Sequence, residues 1–316
     1  MDNRPQSDVP YSDWNYSGAQ EYPPLAPYQH PQSSPVDNFG LLGILLIRGC
    51  GPRTWGCLIP LLLLITFGTA AVLFGSTVLA IGPTTITVSS HPTLILNNDT
   101  YNNAPIIHIH SSAIRNRITL QPADALVHFT IPYDQTSDGN TVIVDANTVE
   151  SRLLDITVPA TTSLKISTNS GNIEVDGISG QMVLLTNGGS IVVTNSTLTN
   201  ASLINANTSA IKVLQSTLSG PVTLSNNQGT ITFDGSIAAQ GNYQFLSNQG
   251  PIDVTLPRTA SFHIDADVTN GSITADFPGV EVQRSTIHSD VGASPHAQVT
   301  LTSTNADIHL HVAKGT

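Results

Sequence analysis

From Leu164 onward the chain alternates apolar with polar residues in short bursts, the period-2 signature of half-buried strands, and each burst breaks at a small polar turn. One unit recurs: a strand, a turn holding Asn and Gly, then one residue and an Ile that opens a second strand. Its copies are LKISTNSGNIEV (164–175), LLTNGGSIVV (184–193), LINANTSAIKV (203–213), TLSNNQGTITF (223–233), QFLSNQGPIDV (244–254) and HIDADVTNGSITA (263–275), with an echo in LTSTNADIHLHV (301–312). The aligned isoleucines are Ile173, Ile191, Ile211, Ile231, Ile252, Ile273 and Ile308, separated by 18, 20, 20, 21, 21 and 35 residues. Two residues before each stands Gly171, Gly189, Ser209, Gly229, Gly250, Gly271 or Ala306. Four before stands Asn169, Asn187, Asn207, Asn227, Asn248, Thr269 or Thr304.

A unit with one apolar face per strand cannot bury a core alone, so it must stack on its neighbours. Two architectures meet that demand. In a β-solenoid each unit is one coil and the isoleucines form an interior ladder, with coils about 4.8 Å apart. In a meander the Asn-Gly turns are hairpins of an antiparallel sandwich or barrel. The solenoid is the preferred expectation, because a sandwich has no reason to keep the same residue at the same offset in successive units. The recurring Gly is expected to supply a positive φ in the turn, with Asn bonding the local backbone.

Segment 84–160 also reads as strands (ITVSSHPTLIL, APIIHIHSS, ALVHFTIP, NTVIVDA, LLDITVP) but follows the unit poorly, and is expected to cap the near end of a solenoid spanning 161–316. The insert at 279–298 reads as a loop or lid near the far end.

The first 82 residues follow different physics. Leu58 to Ile81 runs LIPLLLLITFGTAAVLFGSTVLAI without a charge, and about 20 such residues span a hydrocarbon core as a helix. Arg48 and Arg53 precede it and the next basic residue is Arg115, so the N-terminus is expected in the cytoplasm and the C-terminal domain outside it. A cleaved signal peptide is the alternative, but its apolar core is shorter and lies near the chain start. Residues 1–38 carry seven prolines and four of the seven tyrosines and almost no aliphatic side chain, the composition of a disordered tail. Between tail and span, the juxtamembrane segment 39–57 holds the apolar run FGLLGILLI (39–47) and the only cysteines, Cys50 and Cys57. The outer domain therefore has no disulfide, and its stability rests on strand pairing and an apolar interior. Beyond residue 82 there are 8 Lys/Arg against 17 Asp/Glu. That acidic balance speaks against a nucleic-acid partner and leaves the lipid bilayer, self-association or a surface partner.

The anchor, the capping strands and the strand–Ser/Asn-Gly–x–Ile–x–Val units together resemble the bacterial putative-adhesin family, a group of envelope β-solenoids catalogued as a domain of unknown function. The likeness rests on TNSGNIEVDGISG (168–180), TNGGSIVV (186–193), SNNQGTITFDG (225–235), SNQGPIDVTLP (247–257) and VTNGSITADFPG (268–279), and covers roughly residues 140–316. It implies an all-β solenoid and carries over no catalytic residue. The chain departs from the pattern at Ser209 and Ala306, where the turn Gly is missing.

Candidate chemistry is sparse. His108 and His110 in IIHIH, and His309 and His311 in IHLHV, are H-x-H pairs that strand alternation places on one face, and paired imidazoles bind zinc where a third ligand joins them. Spacing identifies none, so the preferred reading is four histidines on solvent-facing strand sides. Asp265 and Asp267 also share a face, and paired carboxylates serve glycosidases; a carbohydrate-active β-helix is the enzyme alternative to a non-catalytic protein without cofactor. The leading expectation is a membrane-anchored, adhesin-like scaffold, and the second a sensor that signals through the N-terminal tail.

Overall fold

The computed structural model describes residues 84–89, 91–99, 106–112, 116–122, 131–147 and 153–314. The tail, the juxtamembrane segment and the 58–81 span, with Arg48, Arg53, Cys50 and Cys57, lie outside the described residues. Among the described residues every regular element is a strand, and no helix is long and apolar enough to cross a membrane.

Seven strands precede the repeats: β1 (Thr84–Thr87), β2 (Thr93–Asn98), β3 (Ile106–Ser112), β4 (Arg117–Pro122), β5 (Tyr133–Gln135), β6 (Thr141–Asp145) and β7 (Leu153–Pro159). The repeat units then supply β8 (Ser163–Thr168), β9 (Asn172–Asp176), β10 (Ser179–Gly180), β11 (Met182–Thr186), β12 (Ile191–Thr194), β13 (Thr197–Thr199), β14 (Ser202–Ala206) and β15 (Ile211–Ser219). They continue through β16 (Val222–Asn226), β17 (Ile231–Ile237), β18 (Asn242–Ser247), β19 (Ile252–Leu256), β20 (Phe262–Val268) and β21 (Ile273–Ala275). The chain closes with β22 (Thr286–Val291), β23 (Ala297–Ser303) and β24 (Ile308–Val312).

Each unit sends its first strand to one long sheet and its second to another, and equivalent strands of neighbouring units pair in parallel. Hairpins at the Asn-Gly turns would make those pairs antiparallel, so the meander is excluded. The architecture is all-β with two long parallel-strand sheets, the arrangement of a solenoid. Strand alternation decides which side chains meet: Ile173 and Val175 are buried while Glu174 between them is half-buried on the outer face.

The isoleucines form one continuous interior ladder. Ile107 lies beside Ile173, followed by Ile191, Ile211, Ile231, Ile252, Ile308 and Ile273, each pair in register. Ile308 thus stands between Ile252 and Ile273, against sequence order. The coil β23–β24, last in the chain, is inserted between β18–β19 and β20–β21. The near end repeats the device: β2–β3 lies between β6–β7 and β8–β9, so the chain passes from Pro159 to Ser163 over a coil already laid down. The strands of 93–159 accordingly belong to the same two sheets as the repeats.

Antiparallel strands then cover both sheets at the near end and one sheet at the far end, where β21 is left as the parallel edge of the other. β5 pairs with β6, β4 with β7 and β1 with β4 at one end, and β22 with β20 at the other. A short antiparallel edge strand does not present the next parallel rung, which blunts edge-to-edge addition. The 279–298 insert is therefore partly strand, since it contains the whole of β22.

The expectation about the turn glycines needs correction. Positive φ among described glycines occurs at Gly139, Gly177, Gly220, Gly279 and Gly292, and at none of Gly171, Gly189, Gly229, Gly250 or Gly271. What excludes a side chain is the coil next door: a Cβ on Gly189 would lie 2.0 Å from the Gly171 carbonyl oxygen, and one on Gly250 would lie 1.9 Å from that of Gly229. The left-handed corners fall instead on asparagines such as Asn195 and Asn200, with φ of 50° and 47°.

A buried polar residue three positions before the glycine caps several of these turns. Gly171 N donates to Thr168 Oγ1, Gly189 N to Thr186 Oγ1, both at 3.0 Å, and Gly250 N to Ser247 Oγ at 3.1 Å. In the unit where Ser209 replaces Gly, the capping position holds Ala206, so the two departures from the pattern come together.

Candidate functional site

The asparagines of the repeat turns build a side-chain ladder on the rim of the stack. Asn187 Nδ2 donates to Asn169 Oδ1 at 3.3 Å, Asn207 to Asn187 at 2.7 Å, Asn227 to Asn207 at 3.0 Å and Asn248 to Asn227 at 2.9 Å. The amides of Asn187, Asn207 and Asn227 both donate and accept along the axis, which polarises the row in one direction. In the far coils the ladder moves one residue along, and Asn270 Nδ2 donates to Asn305 Oδ1 at 3.0 Å. Beside this row runs an open groove of 470 Å³, lined among others by Asn207, Asn227, Asn248, Leu246 and Thr304.

The two H-x-H pairs project from equivalent positions of the same sheet, but β9, β12, β15, β17 and β19 lie between β3 and β24. At about 4.8 Å per strand the pairs are roughly 29 Å apart and do not share an ion. Around the first pair the structure supplies the third group that spacing did not identify. Asp155 on β7 lies 2.9 Å from His108 Nδ1 and 3.2 Å from His110 Nδ1, and the rings stack at 5.0 Å. His110 Nε2 is 2.9 Å from Thr157 Oγ1. At the other pair, His309 Nδ1 meets Thr274 Oγ1 at 2.7 Å and His311 Nδ1 meets Asp276 at 2.8 Å. That pair gathers no third ligand among the described residues.

Residues 105–311 match the family described as Toastrack DUF4097, a span that takes in both H-x-H pairs and all but the last residue of the repeat units. The chain belongs to this family. It is a family of unknown function, as the resemblance implied. No curated protein matches. A solved structure from Clostridium sporogenes ATCC 15579, described as a "putative cell adhesion protein", is similar at 14% identity and a TM-score of 0.33, with 73% of this chain and 100% of that one covered.

A third histidine cluster in this Toastrack domain escaped the sequence reading. In the β20–β22 antiparallel pair, His263 lies opposite Asp290 and Asp265 opposite His288. His263 Nδ1 is 2.6 Å from Asp290 Oδ1, His263 Nε2 is 3.4 Å from Asp265 Oδ2, and His288 Nδ1 is 2.6 Å from Asp265 Oδ1. The Asp290 hydrogen bond lifts His263 above its ordinary value, and the same bond holds Asp290 below the usual carboxylate range. Of the Asp265–Asp267 pair, only Asp265 joins this cluster; Asp267 lies opposite Thr286. The available signal was the H-x-D tripeptide, present at 263–265 and again at 288–290. Only an antiparallel crossing puts each His of one beside the Asp of the other.

Asp176, beside His110 in register, gives a pH prediction. Hydrogen bonds from Asn195 Nδ2 and Thr194 Oγ1, both 2.8 Å, hold its carboxyl below 3.8, with a smaller contribution from the neighbouring histidines. A carboxylate depressed in the folded state contributes stability above its unfolded value and loses it as pH falls through the folded one. Asp176→Asn should therefore leave the fold less sensitive to acid below about pH 4, read as a shallower acid limb in thermal midpoint against pH.

Proposed function

We propose that this chain is a membrane-anchored, extracytoplasmic Toastrack protein whose stack serves as a non-catalytic scaffold for adhesion or self-association. The observation that carries this reading is the amide ladder from Asn169 to Asn248 and its open groove. They present a regular row of donors and acceptors over successive coils, a surface suited to an extended polar partner. The interior supports it: large side chains such as Phe233, Tyr243 and Phe245 are fully buried, so the apolar surface is spent on holding the stack rigid. The apolar 58–81 segment, preceded by Arg48 and Arg53, supports anchoring with the tail inside.

The test uses intact cells carrying the full-length chain. Added protease should digest the C-terminal domain and spare the tail, and protection of that domain would overturn the topology. Such cells should adhere or clump more than cells lacking the protein, and should still do so when residues 2–38 are deleted. If deleting residues 2–38 leaves localisation and adhesion intact but abolishes a downstream response, the sensor reading replaces the scaffold.

A further inference from the structure

We propose that His263, Asp265 and His288 form a divalent transition-metal site of the zinc class that pins β22 to β20 at the far end of the stack, with Asp290 as the positioning residue. The first support is the donor set. Two imidazoles and one carboxylate are the nitrogen and oxygen ligands zinc takes when three protein groups leave a fourth position to water. One ligand atom from each side chain lies within 4.8 Å of the others.

The second support is spacing. Zinc bonds of about 2.0–2.1 Å in a tetrahedron set neighbouring ligand atoms roughly 3.3 Å apart. His263 Nε2 and Asp265 Oδ2 stand at 3.4 Å already. His288 Nδ1 and Asp265 Oδ1, at 2.6 Å, need only open as the ion replaces the shared proton, and both side chains are more than half exposed, at 77% and 55%. The rings of His263 and His288 meet at 81°, so the two lone-pair planes cross rather than run parallel.

The third support is the partner behind the ligand. Asp290 accepts from His263 Nδ1, which fixes the tautomer and leaves Nε2, the nitrogen facing Asp265, as the lone-pair donor. A carboxylate bonded to the far nitrogen of a ligating histidine is the usual outer arrangement of zinc sites. The His108–His110–Asp155 group lacks this division of labour: Asp155 Oδ1 faces the Nδ1 atoms of both rings, and the Nε2 of His110 is held by Thr157.

The consequence is mechanical. β22 is the outermost strand of its sheet and pairs only with β20, so an ion bridging the two fastens the edge strand to the stack. Ligands from both strands add a metal-dependent tie to a backbone ladder that already joins them.

The experiment uses the full-length chain in detergent, purified without a polyhistidine tag and stripped of metal, with zinc added against a chromophoric chelator. Zinc should bind, while calcium and magnesium at equal concentration should not. His288→Ala and Asp265→Asn should each lower the stoichiometry by one ion per chain; His288 is so exposed that an unchanged metal-free thermal midpoint will show the variant folds. Asp290→Asn should keep the ion but weaken it about 10–100-fold. The double variant His108→Ala, His110→Ala should retain this ion. Zinc should also slow amide exchange in 286–291. Absence of zinc binding overturns the proposal, as does full stoichiometry and affinity in His288→Ala and Asp265→Asn, or loss of the only ion in the His108/His110 variant.

Discussion

Deleting residues 297–316 is expected to unseat the 262–296 segment while leaving the coils from β8 to β19 folded. By sequence order the deletion trims a terminal repeat, which stacked proteins often tolerate. In space it removes a rung with neighbours on both faces, because β23 pairs with β18 on one side and β20 on the other. The rung carries Val299, Leu301, Ile308 and Leu310 into the core, none more than 2% exposed. Each such side chain is worth about 1.5–3 kcal/mol of burial, and the faces of both adjoining coils lose their cover as well. Limited proteolysis and amide exchange of the truncated full-anchor chain read the outcome: rapid cleavage between 257 and 296 with protection kept in 163–256. Unchanged protection of 262–296 would mean that β20–β21 docks directly on β18–β19 and that the inserted coil is not needed to hold it.

The second large effect is expected at Gly250. In Gly250→Ala the new Cβ falls 1.9 Å from the Gly229 carbonyl oxygen and 2.4 Å from its carbon, both backbone atoms fixed by the coil below. Relief requires the coils to separate locally, against the parallel ladder that joins Ile231 to Ile252. Overpacking of this kind costs typically about 1–3 kcal/mol, and a backbone obstacle puts this site at or beyond the upper end. Gly188→Ala is the control. Its nearest atoms would be 3.5 Å away and its φ is not in the left-handed region, so the change should be neutral or stabilise by about 0.4–1 kcal/mol. Thermal or denaturant unfolding of the two variants separates the explanations. If both lost stability equally, flexibility rather than close approach would account for the turn glycines.

These two variants mark where sequence reading reached and where it stopped. The isoleucine ladder was legible because a 20-residue period with Ile and Gly at constant offsets has few physical causes other than stacking. The asparagine ladder was half legible: Asn169, Asn187, Asn207, Asn227 and Asn248 stood out by offset, but their mutual hydrogen bonds belong to neighbouring coils. The reason for glycine was misread. A turn Gly and a close-approach Gly look identical in a sequence, and only the carbonyl beneath Gly189 or Gly250 tells them apart.

The candidate metal ligands show the same limit. His108 and His110 drew notice because they sit two apart on one strand, while Asp155 was invisible at a separation of 45 residues or more until β3 and β7 paired. His263 and His288, 25 residues apart, meet only through the β20–β22 crossing.

By itself, then, the sequence determined that units of about 20 residues stack with one apolar face inward, since alternation and period are local properties written in every copy. It determined the family as well, through the repeated turn motif. Tertiary structure alone decided the order of the coils. Each coil offers nearly the same ladder to any neighbour, so strand pairing does not select sequence order. The crossings at 160–162 and 257–261 do, by carrying the chain past one rung and leaving its place for β2–β3 or β23–β24. The same crossings leave β22 at the far edge, where its histidine and aspartate meet those of β20.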